Sequence, residues 1–149
     1  MTTTQLAAWV MLAFGGLYSG GILIYAVDRV HVWQRMPIEQ YVVDFRRSLY
    51  RADPLMPIIG VLTELGAVVF ALSSAGRAAV LAWTGFALIA LIIVASITLA
   101  EPMNSKFRRL PEGQAPDRVE RLRINWCRFH QARTVVALGA LACLVAAGV

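Results

Sequence analysis

Charge is what this sequence has least of. Asp, Glu, Lys and Arg make up 15% of its 149 residues, where a soluble domain carries about 25%. So few charges cannot clothe a water-facing surface, and almost every soluble enzyme fold is excluded. Cysteine is equally sparse, with only Cys127 and Cys143 present. On one helix those two stand about 24 Å apart, too far for a disulfide, so a disulfide scaffold is excluded as well. Cys-x-x-Cys, His-x-x-x-His and Glu-x-x-His are all absent. With them go the usual zinc and di-iron-bundle signatures. No internal repeat is present.

What remains is apolar. Hydrophobic residues make up 58% of the chain and the mean hydropathy is +0.63. They fall into four blocks, at about residues 5–27, 55–75, 78–100 and 131–149. A helix needs about 20 mostly apolar residues to cross the hydrocarbon. Backbone polar groups must be satisfied internally there, so such blocks are helices. The expected fold is all-α: a single integral membrane domain formed by a four-helix transmembrane bundle. The first block lacks a basic leader and a small-x-small cleavage site, which marks it as a retained helix rather than a signal peptide.

Basic residues orient the bundle. Of 14 Lys and Arg, five fall in the loop 28–54 and seven in the loop 101–130. Arg133 lies just inside the same face, and only Arg77 falls on the other side. By the positive-inside rule both long loops are cytoplasmic and both termini are outside, in the inner (plasma) membrane. The +5 net charge is thus a matter of topology, and no nucleic-acid partner is implied. Within the first loop, Ile38, Tyr41, Val42, Phe45 and Leu49 recur at three- and four-residue steps. That spacing predicts an amphipathic interfacial helix between spans one and two. Nothing breaks a helix after Asp117, so helix four gains a basic cytoplasmic extension. Pro102 is expected to end span three.

Three groups of residues carry chemical potential. Glu64 sits near the middle of span two, where a charge costs roughly 2.5–3.5 kcal/mol and normally faces the bundle interior. It reads either as a proton acceptor or as a hydrogen-bonded carboxyl that fixes packing. Trp126, His130 and Arg133 are spaced i, i+4, i+7 and share one helical face. An aromatic surface, an imidazole and a fixed cation in one stripe suit a flat ligand that becomes anionic. The bland alternative is an interfacial Trp with a snorkelling Arg. Finally, Glu101 and Asn104 close span three while Tyr25, Asp28 and His31 close span one. All of these point to one pocket, with Glu64 at its floor. If a metal is held there, its ligands are His130, Glu64, Glu101 and His31; the two histidines are also the only haem ligands on offer.

Pro102-x-Asn104 after span three and Trp126-x-x-x-His130-x-x-Arg133 entering span four resemble the anthrone-oxygenase-like family of small four-helix membrane proteins. The resemblance covers most of the chain as architecture and residues 101–133 as motif. It implies oxidation of a lipophilic anthrone to an anthraquinone with no bound cofactor. It also implies roles for Asn104, Trp126, His130 and Arg133; Glu64 rests on its own position. For such chemistry His130 or Glu64 would be the base, Arg133 and Asn104 the oxyanion partners, and Trp126 with Phe129 or Tyr25 the stacking slot. The expected partners are membrane lipids and a lipophilic aromatic small molecule. Two other readings stand beside this one: an accessory subunit of a larger membrane complex or homo-oligomer, and a proton-coupled exporter using Glu64.

Overall fold

The computed structural model describes residues 1–52 and 54–149; residue 53, in the first long loop, lies outside the described residues. Five helices are described: α1 (Thr3–Arg35), α2 (Ile38–Ala52), α3 (Leu55–Leu72), α4 (Gly76–Arg108) and α5 (Val119–Gly148). Four of them, all but α2, are long and apolar enough to cross a membrane. Their outward faces carry large apolar side chains such as Leu17, Leu65, Leu91 and Val135, all exposed. In water that surface would be untenable; against lipid it is the expected one.

α1 packs on α3 and α5, and α4 packs on the same two helices, which closes a four-helix ring. Lipid is as apolar as leucine, so close approach and polar contacts hold such a ring together rather than hydrophobic burial. Gly66 lets α3 meet α1: a Cβ there would stand 2.7 Å from the Met11 backbone nitrogen. Gly85 does the same for α4 and α5, facing Leu144. Ser19 adds a hydrogen bond to the Ala137 carbonyl at 3.1 Å. Of the two small-residue pairs on α1, Gly15 and Ser19 are buried, while Gly16 and Gly20 face open space. Gly66→Ala should therefore lower the melting temperature in detergent, costing about 1–3 kcal/mol because backbone cannot yield. Gly16→Ala should leave it unchanged or raise it slightly. Identical melting for the two variants would remove the close α1–α3 crossing.

The helices run past the apolar blocks. α1 continues to Arg35 and α4 to Arg108, each through one wide turn. In α1 the Val30 N–H bonds the Tyr25 carbonyl; in α4 the Glu101 N–H bonds the Ser96 carbonyl. Pro102 therefore does not end span three. The wide turn over Ser96–Ala100 already steps the i to i+4 ladder out of register, so the ring and missing donor of proline meet no regular carbonyl.

α2 lies across the ends of these extensions. Its Tyr41, Val42, Phe45 and Leu49 are buried and pack on Trp33, Phe107 and Trp126, the second core of the protein. Phe45 sits at its centre, with ring centroids 4.7–5.3 Å from Trp33, Tyr41, Phe107 and Trp126. Polar ties finish the attachment. Asp44 accepts from Trp33 Nε1 at 2.7 Å and Arg29 at 3.2 Å, and the Tyr25 and Ser48 hydroxyls meet at 2.9 Å. Arg123 of α5 donates to the Trp33 and Met36 carbonyls at the end of α1, where unsatisfied acceptors collect. The Tyr41 hydroxyl is buried and makes no hydrogen bond among the described residues, and burial raises its pKa, keeping it a neutral phenol.

Candidate functional site

Beneath α2 the ring encloses a cavity of about 400 Å³, within the range of small-molecule sites. All five helices line it. Tyr18, Ile22 and Tyr25 come from α1, Phe45 and Ser48 from α2, and Met56 and Pro57 from α3. α4 contributes residues from Ile93 through Ser96, Glu101 and Asn104 to Arg108, and α5 contributes Trp126, His130 and Arg133. Both wide turns fall within this lining, beginning at Tyr25 and Ser96. Such turns re-aim side chains that a regular helix would carry elsewhere, and they recur at functional sites.

The i, i+4, i+7 stripe forms one wall. The rings of Trp126 and His130 stack with centroids 5.0 Å apart and planes inclined by 17°. The Asn104 side-chain oxygen accepts from Trp126 Nε1 at 3.1 Å, which fixes the indole against α4. Both nitrogens of His130 are engaged. Nε2 lies 3.0 Å from the Ile22 carbonyl, and Nδ1 lies 3.1 and 2.7 Å from Nε and Nη2 of Arg133. Guanidinium only donates, so Nδ1 is the acceptor and the ring proton sits on Nε2. Arg133 in turn lies over the faces of Trp126 and Phe129, at 5.7 and 5.5 Å, and Nη1 reaches Ser96 Oγ at 3.5 Å. The result is a cation held in place at an apolar cavity wall.

Tyr25, Asn104, Trp126, His130 and Arg133 thus share one cavity, with Glu101 at its rim, paired with Arg108 and bonded to Ser105. Four other residues singled out from the sequence stand outside the lining, among them Asp28, which is exposed and pairs with Arg29. Phe129 backs Arg133 from behind. His31 is exposed at the end of α1. Glu64 lies deeper along α3, with its Oε1 buried and making no hydrogen bond among the described residues. The metal set His130, Glu64, Glu101 and His31 does not come together: among the described residues no three His, Cys, Asp or Glu side chains converge. His130 is already bonded on both nitrogens.

Spacing alone did not reveal Tyr18, Ser96, Ser48 or Phe45 as lining residues. Ser96 carries a faint signal, a polar residue inside an apolar block. Tyr18 and Phe45 read as ordinary core aromatics.

Fold and site together define a multi-pass, all-α membrane protein that carries a lipophilic cavity with a fixed cation in its wall. The profile of the anthrone oxygenase family matches residues 45–143, about two thirds of the chain, and the protein belongs to that family. Neither a curated protein nor a solved structure matches the chain.

Proposed function

We propose that this protein is a membrane-embedded oxygenase that converts a lipophilic anthrone-type substrate to the corresponding anthraquinone without a bound cofactor. The observation that carries the reading is the Trp126–His130–Arg133 wall of the 400 Å³ cavity, in a chain of this family. The flat ring system slides between Trp126, Phe45 and Ile22. Its carbonyl oxygen points at Arg133. Loss of one methylene proton gives an enolate whose charge collects on that oxygen, where a guanidinium stabilises it.

Glu64 is the proton acceptor in this reading, reached through a relaying water because it lies beyond the cavity lining: its buried Oε1 makes no hydrogen bond among the described residues, while both His130 nitrogens are occupied. His130 acts by holding Arg133. The electron-rich enolate reduces O2 and combines with it at the former methylene carbon, giving a hydroperoxide once Glu64 returns the proton. Loss of the second C–H proton, with cleavage of the O–O bond, forms the new carbonyl and releases one water. One O2 is consumed for each quinone formed.

The membrane frame follows from charge. We place both termini outside, the long loops in the cytoplasm, and α2 at the headgroup boundary. The basic cytoplasmic end of α5 then faces anionic lipid, and substrate arrives through the bilayer past Pro57 and Ile97, the exposed apolar members of the lining.

Oxygen uptake by the purified protein in vesicles supplied with an anthrone tests the reading. Wild type should take up one O2 per quinone, well above protein-free vesicles, and Glu64→Gln should slow uptake roughly 10²-fold or more, the scale of general acid–base catalysis. Uptake no faster than in protein-free vesicles would end the oxygenase reading. Undiminished uptake in Glu64→Gln would remove Glu64 from it.

A further inference from the structure

Tyr18 has not yet been given a role, and its setting is unusual. It is 5% exposed, lines the cavity, and its hydroxyl makes no hydrogen bond among the described residues. The ring is buried, but the hydroxyl oxygen is not among the buried unpartnered atoms and opens onto the cavity, so it is a donor free to meet whatever the cavity holds. Three neighbours define where it stands. Arg133 shares the cavity lining with it, and Glu64 stands one turn beyond Gly60 on the same face of α3. Gly60 of α3 seats the ring, since a Cβ there would stand 3.1 Å from Tyr18 Cε2. α3 thus gives up a side chain where the phenol packs, and the hydroxyl is left open to the cavity whose lining also holds Arg133.

We propose that the Tyr18 hydroxyl is a second oxyanion donor which, together with Arg133, binds the negatively charged oxygen of a flat enolate or phenolate ligand. A guanidinium alone supplies charge from one direction. A phenol on the facing helix supplies a neutral donor from another, and two preorganised donors in an apolar site select the ionised ligand over its neutral form. The placement also suits the movement of charge. While Glu64 is ionised the hydroxyl lies in the field of its carboxylate. When Glu64 takes up the methylene proton that charge disappears, and the new oxyanion becomes the acceptor for the same O–H.

The identity of the ligand rests on the proposed function; the donor role does not need turnover. The probe is therefore a dihydroxyanthraquinone, a flat phenol that changes colour on ionisation and cannot be oxidised by the proposed reaction. It is titrated spectrophotometrically against the full-length protein in phosphatidylcholine vesicles. Tyr18→Phe keeps the ring and removes only the hydroxyl. Wild type should bind the ionised probe about 10–100-fold more tightly than Tyr18→Phe, the scale of a hydrogen bond to a charged group, with neutral-probe affinity matched within about twofold. Gly60→Ala, which keeps the hydroxyl but displaces the ring, should weaken ionised-probe binding in the same direction by a smaller factor. Equal affinity of wild type and Tyr18→Phe for the ionised probe overturns the proposal, as does ionised-probe binding unchanged by Gly60→Ala.

Oxygen uptake by wild type is the separating arm. Tyr18-dependent probe ionisation without anthrone-dependent uptake supports the donor and ends the oxygenase reading. Uptake with Tyr18-independent ionisation does the reverse.

Discussion

Arg133→Ala should cut anthrone-dependent oxygen uptake by about 10²–10³-fold, the loss seen when one preorganised oxyanion donor is removed, while the protein stays folded. The contacts of Arg133 include the His130 Nδ1 atom, Ser96 Oγ and the faces of Trp126 and Phe129, all at a cavity wall, whereas the close helix crossings are made at Gly66 and Gly85. Truncation leaves His130 Nδ1 with a lone pair that faces the cavity and can be satisfied there. Lysine should not restore the rate, because a single ammonium cannot bond His130 through two nitrogens and also face an oxyanion. His130→Ala should fall in the same range, since it acts by holding Arg133. The double variant should be hardly slower than Arg133→Ala alone, as residues that act as one unit are not additive. Initial uptake rates, with size-exclusion profiles in detergent as the folding control, make the check. Wild-type rates in Arg133→Ala would take the cation out of the chemistry, and additive losses would separate His130 from it.

Phe45→Ala should be the most destabilising single truncation, at about 3–5 kcal/mol. Phe45 is fully buried and touches four aromatic rings from α1, α2, α4 and α5 at once. Edge-to-face pairs of this kind contribute about 0.5–1.5 kcal/mol each beyond area burial. The cluster lies where α2 covers the bundle end, outside the packed apolar spans, so ordinary hydrophobic burial operates there and is absent between the spans. The expected result is selective. α2 should become sensitive to protease at temperatures where the four spans remain helical by circular dichroism, and substrate binding should weaken because Phe45 lines the cavity. Joint loss of spans and α2 in one transition would show that α2 and the ring form a single cooperative unit.

Much of this is legible in the sequence. The i, i+4, i+7 spacing of Trp126, His130 and Arg133 places them on one face because helix geometry is local, and the structure has them in contact. The apolar stripe of α2 follows from the same periodicity, and its residues Tyr41, Phe45 and Leu49 are buried. Other features depended on neighbours distant in sequence. The Ile22 carbonyl, 108 positions from His130, cannot be read from spacing. Pro102 was expected to end a helix, and did not, because the wide turn before it is a property of the packed α4. Glu64 is expected at the cavity floor, yet it lies outside the lining, about 10 Å further along α3 than Pro57, because how deep the cavity reaches is set by packing between helices.

The sequence by itself determined that this is an all-α membrane protein with four apolar helices, because hydropathy over some twenty residues is a sum over local composition. It also determined the stripe that forms one cavity wall, because one helix fixes it. Only the tertiary structure decided what faces that wall: Tyr18 over Gly60, Ser96 turned in by the wide turn, and Phe45 closing the end. In lipid the apolar surface of each span is satisfied in any rotation, so the choice of inward face falls to close glycine contacts and buried hydrogen bonds between helices.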